Sequence, residues 1–213
     1  MTEKKYIKHI GSRDFYEISH PFADRKDKYL SGKHNYKCII LGTFPSEKSE
    51  ENGFFYSNRS NALWKILGEV CGEKNFVEMK VEEKEKWLDG KGIALYDIVE
   101  SYEGRKWFSN DIALFACGEN HKYCLEFLYD FLMRFPKAKV MVTSREVEKR
   151  FKSYFVCQGR KEVNRTEKNR FFENVQNEQI IYLPSPSQSN RSSTKERKEK
   201  DWKKGLEQAR IIR

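Results

Sequence analysis

The feature that most constrains the fold of this chain is the alternation of short apolar runs with stretches of helical periodicity. Four apolar runs are typical of buried strands, and small, polar or turn-forming residues follow them. They lie at residues 37–41, 93–99, 139–143 and 178–183. Strands that alternate with helices along a chain favour a parallel sheet with helices on both faces. The sequence therefore predicts an α/β fold.

The helices between these runs are delimited by capping residues and apolar spacing. Ser60 is the expected N-cap of a helix whose inward face begins at Leu63. Two further helices are expected at 124–135 and 146–155. The segment Ser193–Glu196 has the Ser-x-x-Glu form of a capping box, so it is expected to open the last helix.

The loops that follow the strands are the expected location of a binding site. In open parallel sheets, ligands bind beyond the carboxyl ends of the strands. This rule selects residues 42–46, 96–99, 143–145 and 184–190, which are rich in small, polar or turn-forming residues. A Walker P-loop, a G-x-G-x-x-G and a G-x-S-x-G are all absent from the sequence, which weakens the nucleotide-binding and hydrolase-elbow interpretations.

The net charge of +9 is concentrated in the last third of the chain. Residues 145–170 carry nine Lys or Arg against four acidic residues, and residues 190–213 carry the same numbers. Residues 1–144 are close to neutral. Such a positive field favours an anionic partner, with nucleic acid first. The alternative is a pair of lysine-rich helices with solvated faces.

Composition indicates a folded intracellular protein. Only 38% of the residues are hydrophobic, but the 14% that are aromatic supply material for a core. No apolar run approaches the roughly 18 residues of a membrane span, and the first residues lack the apolar centre of a signal peptide. We therefore expect a cytoplasmic protein that does not enter a membrane.

The five cysteines do not predict a metal site, because their spacing is irregular and no C-x-x-C pair occurs. Cys117, His121 and Cys124 lie close together in the sequence, but three ligands at this spacing are a weak metal pattern. Reduced, partly buried thiols are the favoured interpretation. We expect neither a metal nor a cofactor.

Four stretches of the chain resemble motifs of the uracil-DNA glycosylase superfamily, most closely those of its hypoxanthine-DNA glycosylase branch. They are ILGTFPS (40–46), FFYSNRSNALWKILGE (54–69), GIALYDIV (92–99) and LPSPSQSN (183–190), and they follow the order of the family. The resemblance implies a three-layer α/β domain at 36–213 with a central four-stranded parallel sheet flanked by helices. Residues 1–35 would be an N-terminal extension packed on it.

The same resemblance implies a monofunctional DNA glycosylase. Such an enzyme flips a deaminated base of the hypoxanthine or uracil type out of DNA and hydrolyses its N-glycosidic bond. The expected partner is DNA that contains a deaminated base, and the expected state of the protein is a monomer.

Two residues are the candidates for catalysis. Asn61 aligns with an asparagine that the family is thought to use to hold the attacking water; capping of the helix begun at Ser60 is the alternative. Asp97 matches an aspartate of the same family. Its carboxylate would accept an N–H on the Watson–Crick edge of the base or position water, whereas capping of the loop after the strand is the alternative.

The resemblance places Thr43, Phe44, Tyr56 and Asn58 around the flipped base. Phe44 is expected to stack on the base, as aromatic side chains do on exposed bases. Plugging of the turn after the first strand is its alternative role.

The phosphates are expected to contact Ser185, Ser187, Asn190, Arg191 and Lys195. Hydroxyls and backbone amides on a loop stiffened by proline, just before a helix, suit phosphate oxygens. The alternative for this loop is a plain proline-rich turn.

This chain departs from the family around Asn58, where the usual His and Pro are missing. The departure motivates an alternative function, that of a non-catalytic nucleic-acid-binding module that retains the glycosylase fold. An unrelated hydrolase of small nucleosides is a more distant alternative. The C-terminal charge disfavours it, because a free nucleoside has no phosphate backbone.

Overall fold

A computed structural model describes residues 5–10, 13–59, 61–108, 110–161, 179–187 and 193–213. The strands are β1 Lys5–Ile10, β2 Arg13–Ser19, β3 Cys38–Gly42, β4 Ile93–Asp97, β5 Val99–Gly104, β6 Glu119–Tyr123, β7 Lys139–Val142 and β8 Ile180–Tyr182. The helices are α1 Arg25–Leu30, α2 Glu47–Glu51, α3 Leu63–Cys71, α4 Val81–Lys91, α5 Asp111–Cys117, α6 Leu125–Arg134, α7 Arg145–Lys161 and α8 Lys195–Gln208.

A parallel sheet of four strands, in the order β4-β3-β7-β8, forms the centre of the molecule. Strand β3 pairs with β4 on one side, where Gly42 lies opposite Asp97, and with β7 on the other, where Leu41 lies opposite Val142. Every residue of β3 and β4 is buried, as expected of parallel strands covered on both faces. The predicted four-stranded parallel sheet flanked by helices is confirmed.

A second sheet, antiparallel and in the order β1-β2-β5-β6, is absent from the prediction. The apolar run at 93–99 is two strands rather than one, because β4 ends at Asp97 and β5 begins at Val99. The chain turns between them where the Ile98 N–H donates to the Gly42 carbonyl at 2.9 Å. Beyond this point β5 pairs with β2 and β6. Both parts of the run are buried, so hydropathy gives no sign of the division.

The starts of two predicted helices are wrong. Helix α3 begins at Leu63, after Ala62, and the expected cap Ser60 lies outside the described residues. Helix α8 is capped by Thr194, whose hydroxyl accepts a backbone N–H three residues further on at 3.3 Å, rather than by Ser193. Either residue type can cap a helix, so the choice depends on the backbone conformation before it.

Other element bounds differ from the prediction by a few residues. The last strand of the parallel sheet covers 180–182 rather than 178–183, and α7 extends to residue 161. Among the described residues, no helix combines the length and the apolar character that crossing a membrane requires.

Helix α8 lies close against the parallel sheet at Gly205. A Cβ atom on Gly205 would come within 2.7 Å of Leu183 Cδ2 and 3.2 Å of Met141 Cε. Trp202, one turn earlier, is fully buried. The absence of a side chain at Gly205 therefore sets the distance between α8 and the strands that carry the loop after β8.

We expect Gly205→Val to destabilise the protein by about 1–3 kcal/mol, because overpacking a buried contact forces side chains or backbone to shift. Urea denaturation measures the change in the free energy of unfolding. Gly90→Val, at a position of α4 with no atom within 4 Å of a Cβ, is the control and should change the free energy of unfolding by less than about 0.5 kcal/mol. Equal effects of the two variants would contradict the close-approach explanation.

Candidate functional site

A cavity of about 490 Å³ lies at the carboxyl ends of the parallel strands. Its wall includes eight of the residues that the sequence singles out: Thr43, Phe44, Tyr56, Asn58, Asn61, Asp97, Ser185 and Ser187. Asn190 and Arg191 lie outside the described residues. Lys195 stands at the start of α8 and does not line the cavity. Segments far apart in the sequence thus meet at one concave site.

The cavity floor is organised around Gly42, the last residue of β3. A Cβ atom at this position would lie 2.1 Å from Asp97 Oδ1 and 2.4 Å from the Tyr56 hydroxyl oxygen. Only glycine leaves room for both oxygens at this point. The glycine of the first motif therefore brings the carboxylate and the phenol together.

Asp97 is a buried acid whose neighbour the sequence did not identify. Its side chain is 4% exposed, and one carboxylate oxygen lies 3.3 Å from Nε2 of His20, which is 1% exposed. Burial raises the pKa of the Asp97 carboxyl, and the hydrogen bond from His20 acts in the opposite direction. His20 precedes every motif that the sequence singled out, and no local pattern links it to Asp97.

Tyr56 projects its phenol into the buried part of the site. Its backbone has a φ of 53°, a left-handed conformation that is uncommon for a residue other than glycine. Among the described residues, the hydroxyl oxygen has no hydrogen-bond partner within the usual distance. Burial and the charge of Asp97 both raise the pKa of the Tyr56 phenol, so it remains a proton donor at neutral pH.

Phe44 sits in a cluster of aromatic rings beside the cavity. Its ring centroid is 5.2 Å from that of Tyr102, 5.3 Å from Trp107 and 5.6 Å from His20. The Trp107 indole also donates to the Pro45 carbonyl at 2.7 Å. Phe44 is 9% exposed and belongs to the cavity wall, so it contributes both to the packing of the turn and to the cavity.

Asn61 is held in place by its backbone and its side chain. Its N–H donates to the Asn58 carbonyl at 2.8 Å, and its amide oxygen accepts the Leu63 N–H at 2.9 Å. The capping contact considered for this residue is therefore present at the start of α3. An amide oxygen has a second lone pair, so the contact fixes the side chain without using its whole capacity to accept hydrogen bonds.

The loop after β8 turns its carbonyl oxygens toward the protein. The Pro184 carbonyl accepts from the Trp202 indole at 3.0 Å, and the Pro186 carbonyl accepts from the Ala62 N–H at 2.9 Å. The Ser187 carbonyl accepts from Lys198 Nζ at 3.1 Å. Anions are repelled by exposed carbonyl oxygens, so this arrangement leaves the loop suited to an anionic partner.

The loop and the Asn61 segment are also joined to each other. Asn61 and Ser187 form an antiparallel bridge, next to the hydrogen bond from Ala62 to Pro186. Residues separated by more than a hundred positions in the chain are thereby fixed on one wall of the cavity.

The basic side chains of α8 take different positions. Lys198 is buried, and burial lowers the pKa of its amine. Lys195 is exposed but lies 3.3 Å from carboxylate oxygens of both Glu69 and Glu199. Its charge is therefore partly compensated by the protein itself, which weakens its attraction for a distant anion.

The wall also contains nine residues to which the sequence assigns no individual role. Six of them, Gly42, Pro45, Ser46, Thr143, Ser144 and Pro186, lie in the loops that the sequence selects, whereas Ser49, Asn110 and Asp111 lie outside those loops and were missed. Asn110 accepts the Ala113 N–H at 2.8 Å and so caps α5, a pattern that an Asn followed by Asp111 could have indicated. Asp111 adds a second carboxylate to the wall.

The wall of the cavity carries acidic side chains, and the basic side chains that the structure describes lie outside it. No Lys, Arg or His is among the described residues of the cavity wall, which carries the carboxylates of Asp97 and Asp111. Within the described part of the chain, no three His, Cys, Asp or Glu side chains are grouped as metal ligands. The cavity thus offers acceptors, amides and hydroxyls to an uncharged group that donates hydrogen bonds.

Comparisons with known proteins agree with the family resemblance of the sequence motifs. The family model of the Uracil DNA glycosylase superfamily matches residues 30–209. The chain is 34% identical to a hypoxanthine DNA glycosylase of Methanosarcina acetivorans over 67 residues, which cover 32% of this chain and 42% of that relative. The chain thus aligns with less than half of the relative's length.

The fold has a counterpart among solved structures. A solution NMR structure from Methanosarcina acetivorans, provisionally designated a uracil DNA glycosylase, covers 84% of this chain and 93% of its own length. The TM-score is 0.51 and the sequence identity is 22%. At this identity the similarity concerns the fold.

We expect Lys198→Ala to lower the free energy of unfolding by about 1–3 kcal/mol, because it removes a charged donor from the half-buried Ser187 carbonyl. Urea denaturation provides the measurement. Lys200→Ala, an exposed position on the same helix, is the matched control and should have an effect below about 0.5 kcal/mol. If both lysines proved equally dispensable, Lys198 would not anchor the loop.

Proposed function

This chain belongs to the uracil DNA glycosylase superfamily, and we propose that it is a monofunctional DNA glycosylase. Its substrate would be DNA that carries a deaminated base of the hypoxanthine or uracil type. The reaction would be hydrolysis of the N-glycosidic bond after the base has been flipped out of the helix.

The convergence of the four motif segments on one cavity is the observation that carries this proposal. The cavity volume of about 490 Å³ is sufficient for a nucleobase. Its wall has no basic side chain among the described residues, whereas α8 beside the loop is rich in lysine. Such a division suits a substrate whose base is uncharged and whose backbone is anionic. The named relative, a hypoxanthine DNA glycosylase, supports the same class of substrate.

Asn61 would orient the attacking water. Cleavage of the glycosidic bond passes through a sugar with oxocarbenium character, which reacts with water without needing a strong base. The amide oxygen of Asn61 is fixed by the Leu63 N–H, so its remaining lone pair has a defined direction. A fixed acceptor of this kind places the water without reorganisation during the reaction.

Asp97 would read the edge of the base. Its carboxylate can accept the N–H that hypoxanthine and uracil present on their Watson–Crick edge. Tyr56, whose protonated hydroxyl lies near the Asp97 carboxylate above Gly42, would donate to the neighbouring carbonyl of the base. Thr43 and Asn58 would complete the polar wall, and Phe44 would contact the face of the base.

Ser185 and Ser187 would bind phosphates on either side of the flipped nucleotide. Three carbonyls of the loop accept hydrogen bonds from the protein, so they do not face the proposed phosphates. Asn190, Arg191 and Lys195 would extend the contact along the backbone. These interactions are independent of sequence and offset the cost of unstacking a base.

A non-catalytic nucleic-acid-binding module is the second candidate. The observation that favours it is the stretch Tyr56–Asn61, which lacks the His and Pro usual in the family. Such a module would keep the fold and the phosphate loop but would release no base.

Base release from oligonucleotides that carry uracil, hypoxanthine or xanthine, in single and double strands, distinguishes the two functions. We expect abasic product from at least one of these lesions, and a loss of about 10²–10³-fold in the single-turnover rate in Asn61→Ala. Because Asn61→Ala also removes a helix cap, Asn61→Ser is the companion variant, in which a hydroxyl can still accept the Leu63 N–H. Both variants should lose the activity.

Salt-sensitive binding of DNA with no product from any lesion would overturn the enzymatic proposal in favour of the binding module. Absence of DNA binding at low salt would overturn both. Recovery of activity in Asn61→Ser, in proportion to recovered stability, would assign Asn61 a capping role only.

Ser185→Ala and Ser187→Ala test the phosphate contacts. Each should weaken DNA binding several-fold for damaged and undamaged DNA alike, because phosphate contacts carry no base information. Fluorescence anisotropy over a range of salt concentrations provides the measurement. Ser153→Ala, an exposed position on α7 outside the cavity wall, is the control with unchanged affinity. Weakening confined to damaged DNA would contradict the assignment.

A further inference from the structure

His20 connects the N-terminal part of the chain to the floor of the cavity. It follows β2 directly and lies before residue 30, where the match to the family model begins. Its N–H donates to the Glu100 carbonyl at 2.7 Å, which fixes its backbone beside β5. Its side chain is 1% exposed and reaches one oxygen of Asp97.

The protonation of the His20 ring follows from its two neighbours. The Phe22 backbone N–H donates to Nδ1 at 3.1 Å, so Nδ1 must carry a lone pair. In the neutral imidazole the proton then resides on Nε2, which donates it to Asp97 Oδ2 at 3.3 Å. If Nδ1 were protonated, its N–H would face the Phe22 N–H, and two donors would lie opposite each other in a buried position.

Aromatic side chains fix the plane of the His20 ring. The ring stacks on Tyr96 with a centroid distance of 4.7 Å and an interplanar angle of 15°. Phe22 and Phe44 meet it edge to face at 5.8 Å and 5.6 Å. The ring therefore has little freedom to turn away from Asp97, and Phe44 joins it to the turn after β3.

We propose that His20 is a positioning residue: as a neutral Nε2–H donor it aims the Asp97 carboxylate at the base and keeps it in the ionised, accepting form. The proposal rests on the proposed function of Asp97 as the acceptor for the base. It assigns a role in the site to a segment that precedes the family match.

The other groups around Asp97 do not supply this hydrogen bond. The titratable neighbours are Tyr56 beside Gly42, Tyr96 in the same strand, Cys124 at the start of α6 and Asp111 at the start of α5. Cys124 donates its thiol to the Asp97 backbone carbonyl at 3.1 Å rather than to the carboxylate. Asp111, being acidic, disfavours ionisation of Asp97.

Lysine and arginine side chains do not take the place of His20 as the partner of the Asp97 carboxylate. Lys26, the cation that approaches the Tyr96 ring, at 5.8 Å, is paired with Glu100. Within the described residues, Asp97 has no salt bridge to Lys or Arg. The donor on His20 is therefore the interaction that offsets the burial of this carboxylate.

His20→Phe tests the proposal because it keeps an aromatic ring against Tyr96 but removes the donor. Without the donor the pKa of Asp97 rises further, so the ionised acceptor is lost at a higher pH. We expect the acidic limb of the pH–rate profile for base release to move to higher pH, and the rate at pH 6 relative to pH 8 to fall roughly tenfold. His20→Gln, whose side-chain amide can place a donor near the same point, should restore part of the profile.

The matched control is His9→Phe, which breaks an exposed His–Asp pair in which His9 Nδ1 lies 2.6 Å from Asp14. It should leave the pH profile unchanged. A purely structural role for His20 predicts a lower rate at every pH, with no displacement of the acidic limb and no rescue by His20→Gln. That outcome would overturn the proposal.

NMR measurements on the free protein separate this proposal from the proposed function. Long-range ¹H–¹⁵N spectra of the wild type should show the Nε2–H tautomer of His20, and the Asp97 ¹³Cγ signal should titrate at a higher pH in His20→Phe. Both are expected even if no base is released from any lesion. A Nδ1–H tautomer, or an unchanged Asp97 titration in His20→Phe, would overturn the positioning role whatever the enzyme activity.

Discussion

The in-register pairing of β3 with both of its neighbours is the constraint on which the site depends. Gly42 lies opposite Asp97 in β4, and Leu41 lies opposite Val142 in β7. Parallel strands in register end at the same level, so their last residues and the loops after them face one space. Because successive side chains of a strand point to opposite faces, a slip of one residue would turn the Asp97 carboxylate to the other face of the sheet. The register therefore fixes the position of this carboxylate in the site.

The cavity wall and the loop after β8 present opposite kinds of polar group. The cavity wall contains acceptors and hydroxyls, and its carboxylates are not paired with Lys or Arg among the described residues. In the loop after β8 the acceptors are instead occupied, because donors on Trp202, Ala62 and Lys198 bind its carbonyl oxygens. The helix that supplies two of these three donors is held against the sheet at Gly205. Packing of one helix thus determines which polar groups the loop presents.

The features that could be predicted from the sequence are those encoded by residues close together along the chain. Apolar runs ending in turn-forming residues identify the four parallel strands and the segments that line the cavity. The antiparallel sheet was missed because β5 continues the apolar run of β4 without a break in hydropathy. The contact of His20 with Asp97 spans 77 positions and joins two sheets, so no local periodicity encodes it. The roles of the individual site residues stay predictions, because the geometry is compatible with capping as well as catalysis at Asn61.

A neutral donor beside Asp97 differs in its physical consequences from a cationic one. Lysine or arginine would compensate the charge of the carboxylate, and an arginine could bind both of its oxygens at once. A neutral imidazole binds one oxygen, orients the group and leaves the negative charge in place. Burial of that charge is unfavourable, as the raised pKa of Asp97 reflects. The ionised carboxylate is also the form that can accept the N–H of a base edge, so the charge that makes burial unfavourable is the one that the proposed role of Asp97 requires. The unfavourable burial and the proposed chemistry therefore have the same origin, a carboxylate that is aimed by its neighbour and not neutralised by it.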